Sequence, residues 1–277
     1  MAKKKISVSK ILITTFLVLH ALYVIYPLIL MFMTSMKSTM DIMKNPLSFP
    51  KKPIFTGFVK IFRDANFLLY LKNSVFVTLV ALFASLTVSI FLSYALARYK
   101  GKTVNRLYFL FLAGMIIPIR LGVLFLNLMF NKLGMLDSLF SLILIYTAMT
   151  IPFSMYILTG YIRMIPAEMD EAAFIDGCSN LQVVGRMVVP LLKPAIATVA
   201  IYNFIPIWND VYFPLILIFD PSKKTFMQHV TMFFGQYQTD WNLVFSALTF
   251  ATLVSLVFYA IGSKQLVQGL TAGALKG

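Results

Sequence analysis

A single cysteine, Cys178, and two histidines, His20 and His229, are all this sequence offers to a soft metal or a disulfide. One cysteine makes no internal bridge and no cysteine cluster, and neither histidine has a partner at metal-ligand spacing. Carboxylates are scarce as well, ten Asp and Glu in 277 residues against 24 Lys and Arg. There is no G-x-S-x-G nucleophile turn and no pair of carboxylates inside an apolar run. Gly101-Lys102-Thr103 ends like a phosphate-binding loop, but that loop needs a glycine five positions before Gly101, and Leu96 stands there. No strand precedes it either. These shortages leave an enzyme without a site, and the chain is expected to be non-catalytic, with no cofactor and no metal.

Apolar side chains are what the sequence has in excess. They make up 60% of it, charged residues only 12%, and the mean hydropathy is +0.85. A soluble core needs far less. Mostly apolar runs recur, each long enough to cross a ~30 Å hydrocarbon layer as a helix of about 20 residues. The expectation is an all-α polytopic membrane protein. A net charge of +14 fits basic residues flanking the spans and meeting anionic headgroups. It does not point to nucleic acid, since no basic run is interleaved with stacking aromatics. The basic N-terminus runs into a long apolar stretch without a small-residue cleavage site, which suits a retained anchor better than a signal peptide.

Six spans are expected, at about 11–33, 70–97, 106–130, 139–161, 195–218 and 243–263, in one transmembrane domain covering 1–277. The first connection holds Pro46, Pro50 and Pro53, and a "FTGFVKIF" stretch whose Phe55, Phe58, Val59 and Phe62 form one face of a short interfacial helix. A second connection covers about 162–194, and a third about 219–242. With the N-terminus inside, thirteen Lys and Arg fall in inward segments and ten in outward ones. That is a weak bias under the positive-inside rule.

Polar groups inside spans are costly. Asp210 lies in "YNFIPIWNDVYFPLILI" beside Trp208 and Asn209, and a carboxylate at a helix centre costs roughly 2.5–3.5 kcal/mol on insertion scales. Counted from Ala195 at 1.5 Å per residue, it lies roughly 22 Å along the helix, past the midplane. Pro206, one turn earlier, is expected to kink that helix. Asn203, Trp208, Asn209 and Asp210, with Arg120 and Asn127 of the third span, are candidates for a solute pathway or gate. A structural hydrogen bond between helices explains Asp210 equally well.

Four of the ten carboxylates, Glu168, Asp170, Glu171 and Asp176, crowd into "EMDEAAFIDGC". Pro166 suits a helix start and Gly177 its C-terminal cap. Glu168, Asp170 and Glu171 then fall in the first turns, where the helix dipole favours negative charge. Ala172, Ala173 and Gly177 give small surfaces at helical spacing. The segment is too short and polar to span a membrane, and reads as a surface helix able to dock into a groove.

"EAAFIDGCSNLQVVGRMVVP" resembles the EAA motif of bacterial ATP-binding cassette (ABC) importer permeases. Glu171, Ala172, Ala173, Asp176, Gly177 and Pro190 match, while Cys178 replaces the usual small alanine. The resemblance extends along nearly the whole chain and is closest to the MalG-like carbohydrate permeases, through "SYALARYKGK", "WNDVYFPLILI" and the terminal "VQGLTAGALKG". It implies a six-helix type I (MetI-like/MalG-like) fold in the bacterial cytoplasmic membrane, with both termini cytoplasmic. It also implies four partners: a homologous (MalF-like) second permease, two ABC ATPases and an extracellular sugar-binding protein. The EAA loop would be the coupling helix, Glu171 its charged anchor and Ala172, Ala173 and Gly177 its close-contact face. Glu168 and Asp170 would be left with dipole and solubility roles. The 219–242 loop would probe the binding protein's cleft, and the C-terminal tail would touch the ATPase. A glycerol-phosphate importer is the nearest rival. A self-sufficient secondary transporter would need coupling-ion sites near the midplane, for which Asp210 alone is available.

Overall fold

The computed structural model describes the backbone of residues 8–64, 66–234 and 239–274, with side chains as far as Ser263. Among the described residues all regular structure is helical. In chain order the helices are α1 (Val8–Thr34), α2 (Thr39–Lys44), α3 (Thr56–Arg63), α4 (Phe67–Arg98), α5 (Lys102–Ile116), α6 (Val123–Lys132) and α7 (Leu139–Met164). They continue with α8 (Glu168–Ile175), α9 (Asn180–Val183), α10 (Val189–Leu191), α11 (Lys193–Trp208), α12 (Tyr212–Leu217), α13 (Phe226–Val230) and α14 (Trp241–Ala274). Four are long and apolar enough to cross a membrane, namely α1, α4, α7 and the Trp241–Ser263 part of α14, and up to six if each of two bent pairs is one span. The chain divides into two compact units, residues 1–67 with 230–252, and 68–229 with 253–277.

In the first unit, α1 is apolar on every side, and none of its most hydrophobic stretch is buried within the protein. A helix of that kind needs lipid or another chain around it. The polar residues that follow are tied down by Asn242 at the start of α14. Its amide donates to the carbonyls of Ser35 and Lys37, both at 2.8 Å, and its carbonyl accepts from the Thr56 hydroxyl at 3.1 Å. A Cβ on Gly57 would collide with the Ser246 hydroxyl and the Asn242 carbonyl, so glycine lets α3 lie directly on α14. The expected short helix is present as α3. Gly57 and Ile61 face inward, while Phe55, Val59 and Phe62 stay exposed. Lys60 pairs with Asp240 at 2.6 Å.

The second unit is a helical bundle. At roughly 48 Å the 32 residues of α4 outrun a ~30 Å hydrocarbon core, so Arg98 at its end need not lie in the hydrocarbon. One face of α4 is a ladder of small residues, Ala81, Ser85, Ser89 and Ser93, all fully buried. Small side chains let helices approach closely in lipid, and the Ser93 hydroxyl reaches the Met155 carbonyl of α7 at 3.2 Å. α11 is joined to α7 by the Asn203 amide donating to Ser154 at 2.9 Å, and to α14 by Phe204 stacked on Phe258.

The third expected span, 106–130, is not one rod. α5 and the helical segment from Ile119 to Lys132 meet at 81°. Pro118 supplies no N–H and forces Ile117 out of the helical region, to ψ 118°. The fifth, 195–218, is also interrupted. α11 runs through Pro206 as far as Trp208, and α12 restarts at Tyr212, so the break lies after Pro206 rather than at it.

Candidate functional site

The connection 162–194 is folded. α8 begins two residues after Pro166 and ends in a Schellman turn. Gly177 at φ +81° donates its N–H to Phe174, and Cys178 donates to Ala173, both at 3.0 Å. That motif brings its last residue against the helix's third-from-last. Ala173 and Cys178 are accordingly both half-buried against an inner cluster built on Ile90, Tyr94, Leu158, Val183, Val184 and Val188. Ala173 therefore turns inward, away from the face expected of it. Glu171, Ala172, Asp176 and Gly177 are exposed, and beside them stand Phe174 (43% exposed) and Ile175 (86%). Ser179 then caps α9 in a reciprocal box with Gln182. A π-turn over Val184–Val188 precedes Pro190, whose ring excludes a regular helix bond, and Pro190 itself is exposed.

Asp170 corrects the sequence reading. It is 5% exposed, not a solvated dipole partner. Arg98, at the end of α4, donates from Nε and Nη2 to the two Asp170 oxygens at 2.7 and 3.1 Å. Its Nη1 donates to the Ile162 and Ile165 carbonyls, at 3.3 and 3.0 Å, where α7 runs out. The Tyr94 hydroxyl adds a third bond to Asp170 at 3.0 Å. One planar guanidinium thus binds α4, the end of α7 and α8 together. The helical register could have raised this possibility, since Asp170 lies on the turn opposite Ala172. Its partner lies 72 residues away, and nothing in the sequence links the two.

The interrupted fifth span is organised around Asp210. Its carboxylate accepts the Tyr146 hydroxyl at 2.8 Å, the Phe213 N–H at 3.1 Å and the Tyr212 N–H at 3.4 Å, with one Arg120 nitrogen at 3.4 Å. Those amides open α12, and Pro214 in its first turn has no N–H and so needs no acceptor. Asn127 donates to the Ile216 carbonyl at 2.9 Å. Asn209 donates to Ile205 at 2.9 Å and to Ser255 at 3.2 Å. Trp208 is buried and stacks on Phe204. The structure thus gives Asn203, Asn127, Asn209 and Asp210 partners inside the protein. Arg120 differs. Its side chain is 66% exposed and lies over the Tyr212 ring, beside a cavity of about 480 Å³ that Gly114, Met115, Pro118, Met149 and Pro152 also line.

Residues 85–271 match the model of the family described as binding-protein-dependent transport system inner membrane component. The chain belongs to that family. Among curated relatives, the trehalose/maltose transport system permease protein MalG of Thermococcus litoralis is 30% identical, with 97% of this chain and 98% of the relative covered. The diacetylchitobiose uptake system permease protein NgcG of Streptomyces coelicolor is 29% identical, over 94% and 87%. A crystal structure of a bacterial ABC transporter involved in the import of the acidic polysaccharide alginate shares the fold, at TM-score 0.80 and 22% identity, covering 95% of this chain and 99% of that one.

As a permease of this family, the chain has the all-helical, multi-pass membrane architecture expected of it. Two features escaped the sequence reading. The exposed Phe174 and Ile175 make the outer face of α8 apolar as well as acidic. The start of the 219–242 connection is pinned to α4. Asn73 donates to the Ser222 and Lys224 carbonyls at 3.0 and 2.9 Å, and Ser74 accepts the Phe226 N–H at 2.8 Å. Residues 235–238 of that loop and the tail's side chains beyond Ser263 lie outside the described residues.

Proposed function

We propose that this chain is one of two homologous permease subunits of an ATP-driven importer for a carbohydrate, most simply an oligosaccharide, handed over by an extracellular solute-binding protein. The observation that carries the proposal is α8. It is a short helix held to the bundle from behind by Arg98, yet it presents Glu171, Ala172, Phe174 and Ile175 outward. An exposed apolar pair flanked by carboxylates suits a groove with an apolar floor and a basic rim. The occupant of the other side is an ABC ATPase, and the chain itself is non-catalytic. Membership of the family supports the binding-protein dependence, and the named substrates of the relatives support the sugar class.

In this reading α8 and both termini are cytoplasmic. ATPase closure draws two such helices together and turns the spans outward, and opening after hydrolysis releases the solute inward. Arg120, with its exposed guanidinium, is the pathway-lining member of the sequence-derived set; the other polar residues hold the interrupted helices in place. The test is reconstitution of the chain with its second permease, ATPase pair and binding protein. Labelled oligosaccharide should enter vesicles only with all components and ATP present, and uptake by this chain alone, driven by an ion gradient, would overturn the proposal. Cys178, the lone cysteine and half-buried beside α8, offers a check on orientation. An impermeant maleimide should label it from the cytoplasmic side.

A further inference from the structure

Three elements meet at Arg98, and the way they meet is not needed merely to shelter a charge. An arginine at the interfacial end of a span can reach water by extending its stem. Here the side chain is 14% exposed and turned inward, with its carboxylate partner 6% exposed. Four of its hydrogen bonds are divided between α8 (two to Asp170) and the end of α7 (Ile162 and Ile165). Tyr94, one turn earlier on α4, bonds the same carboxylate. On the far side of the coupling segment the connection is of another kind. It passes through the π-turn at Val184–Val188 and a 78° bend before α11, where no side-chain ion pair is recorded among the described residues. The segment is therefore held to one pair of spans by an ion pair, and to the next by apolar packing alone, around the buried Val184 and Val188.

We propose that Arg98, Asp170 and Tyr94 form a transmission clamp: they make the coupling helix move as one rigid body with α4 and α7, and leave the π-turn and bend before α11 as the hinge. The three are positioning residues, since none touches nucleotide or solute. The clamp rests on the importer reading above. A push on the exposed face of α8 reaches the spans through the guanidinium fork, whose planar geometry resists rotation as well as separation. Apolar contacts alone, such as those around Val183 and Leu158, would let α8 slide.

The experiment uses the whole reconstituted importer. Asp170→Asn and Arg98→Lys each keep size and polarity but break the fork. In the fraction that assembles, solute imported per ATP hydrolysed should fall about tenfold or more, within the usual range of coupling free energies. Tyr94→Phe should fall less. A merely structural role would reduce the amount of complex and leave that ratio alone, so an unchanged ratio in assembled complexes overturns the clamp. Should no variant assemble, the unaltered clamp is measured directly. Spin labels at exposed positions 168 and 83, in a Cys178→Ala background, report the α8-to-α4 distance in nucleotide-free and ATP-bound complexes. An unchanged distance supports the clamp, and a shift between the two states overturns it. If the parent complex imports nothing, the importer reading fails instead, and the variant ratios are then not the cause.

Discussion

Two arginine–aspartate pairs are built into the same bundle, and they are opposites. In both, the aspartate is deeply buried, at 6% and 4% side-chain exposure. At the α8 end Arg98 is buried too, binds both carboxylate oxygens and turns its Nη1 to two backbone carbonyls. At the interrupted helix Arg120 is 66% exposed and approaches Asp210 once, at 3.4 Å. Asp210 is satisfied mainly by neutral donors, the Tyr146 hydroxyl and the first amides of α12. The lesson concerns the arginine. Where the cation is enclosed, the pair is a joint and neither half tolerates loss of the other. Where the cation is open, the aspartate serves the backbone and the arginine is available to something outside the chain.

Matched asparagine substitutions break this comparison most sharply. Asp170→Asn strands a buried guanidinium, and breaking a buried pair costs about 3–5 kcal/mol. Asp210→Leu removes the acceptor from a buried hydroxyl and a buried amide, for about 2–3 kcal/mol. Asp210→Asn keeps an acceptor for both, and the pair it loses is loose and half open, so about 1 kcal/mol or less is expected. Thermal unfolding of the purified protein in lipid nanodiscs should rank the three in that order. Equal costs for the two asparagine variants would erase the distinction between the pairs.

The difference between the pairs was only half visible in the sequence. The existence of the spans, the short helix α8 and its Gly177 cap follow from local rules of hydrophobic length and capping, and local rules need no partner. Pro118 breaks the third span by the same steric logic that was applied to Pro206, yet the fifth gives way three residues later. Asp210 holds the new helix start there, and Pro214 has no N–H with which to continue the old one. Ala173 reads as an outward-facing small residue until the Schellman turn puts Cys178 against it. Asp170 reads as a dipole partner, and Arg98 is only one of the thirteen basic residues counted in inward segments. Their pairing is a tertiary fact across 72 residues, and no periodicity encodes it.

Arg120 supplies the next smaller effect on stability and a sharper one on function. Arg120→Leu should leave the unfolding midpoint nearly unchanged, within about 0.5 kcal/mol as for open surface positions, because Asp210 retains three other donors. Uptake by the assembled importer should nevertheless drop several-fold while binding-protein-stimulated ATP hydrolysis continues. Uptake at the parent rate would place Arg120 against lipid headgroups or packing and return the pathway to the second permease.

A comparably small effect on stability is expected at Lys60–Asp240 in the other unit, a pair whose cation is more open than its anion, at 59% and 35% exposure. Burial pushes the Asp240 carboxyl up, but the Lys60 ammonium, the Leu243 amide and the Thr39 hydroxyl outweigh it and hold the carboxyl below its ordinary value of 3.8. A carboxyl lowered on folding adds stability that is fully present above its unfolded value and is lost as pH falls through the lowered one. Lys60→Met should therefore cost about 1 kcal/mol or less near neutrality, as exposed pairs do. With the chief attraction gone, only the Leu243 amide and the Thr39 hydroxyl oppose burial, and Asp240 takes up its proton at higher pH. The acid limb of the unfolding-midpoint curve, followed from about pH 6 to about pH 3 across the carboxylate range, should move upward in the variant. Superimposed acid limbs would mean that the amide and hydroxyl donors alone hold the carboxylate, and that an open lysine adds nothing to a partner that is already satisfied.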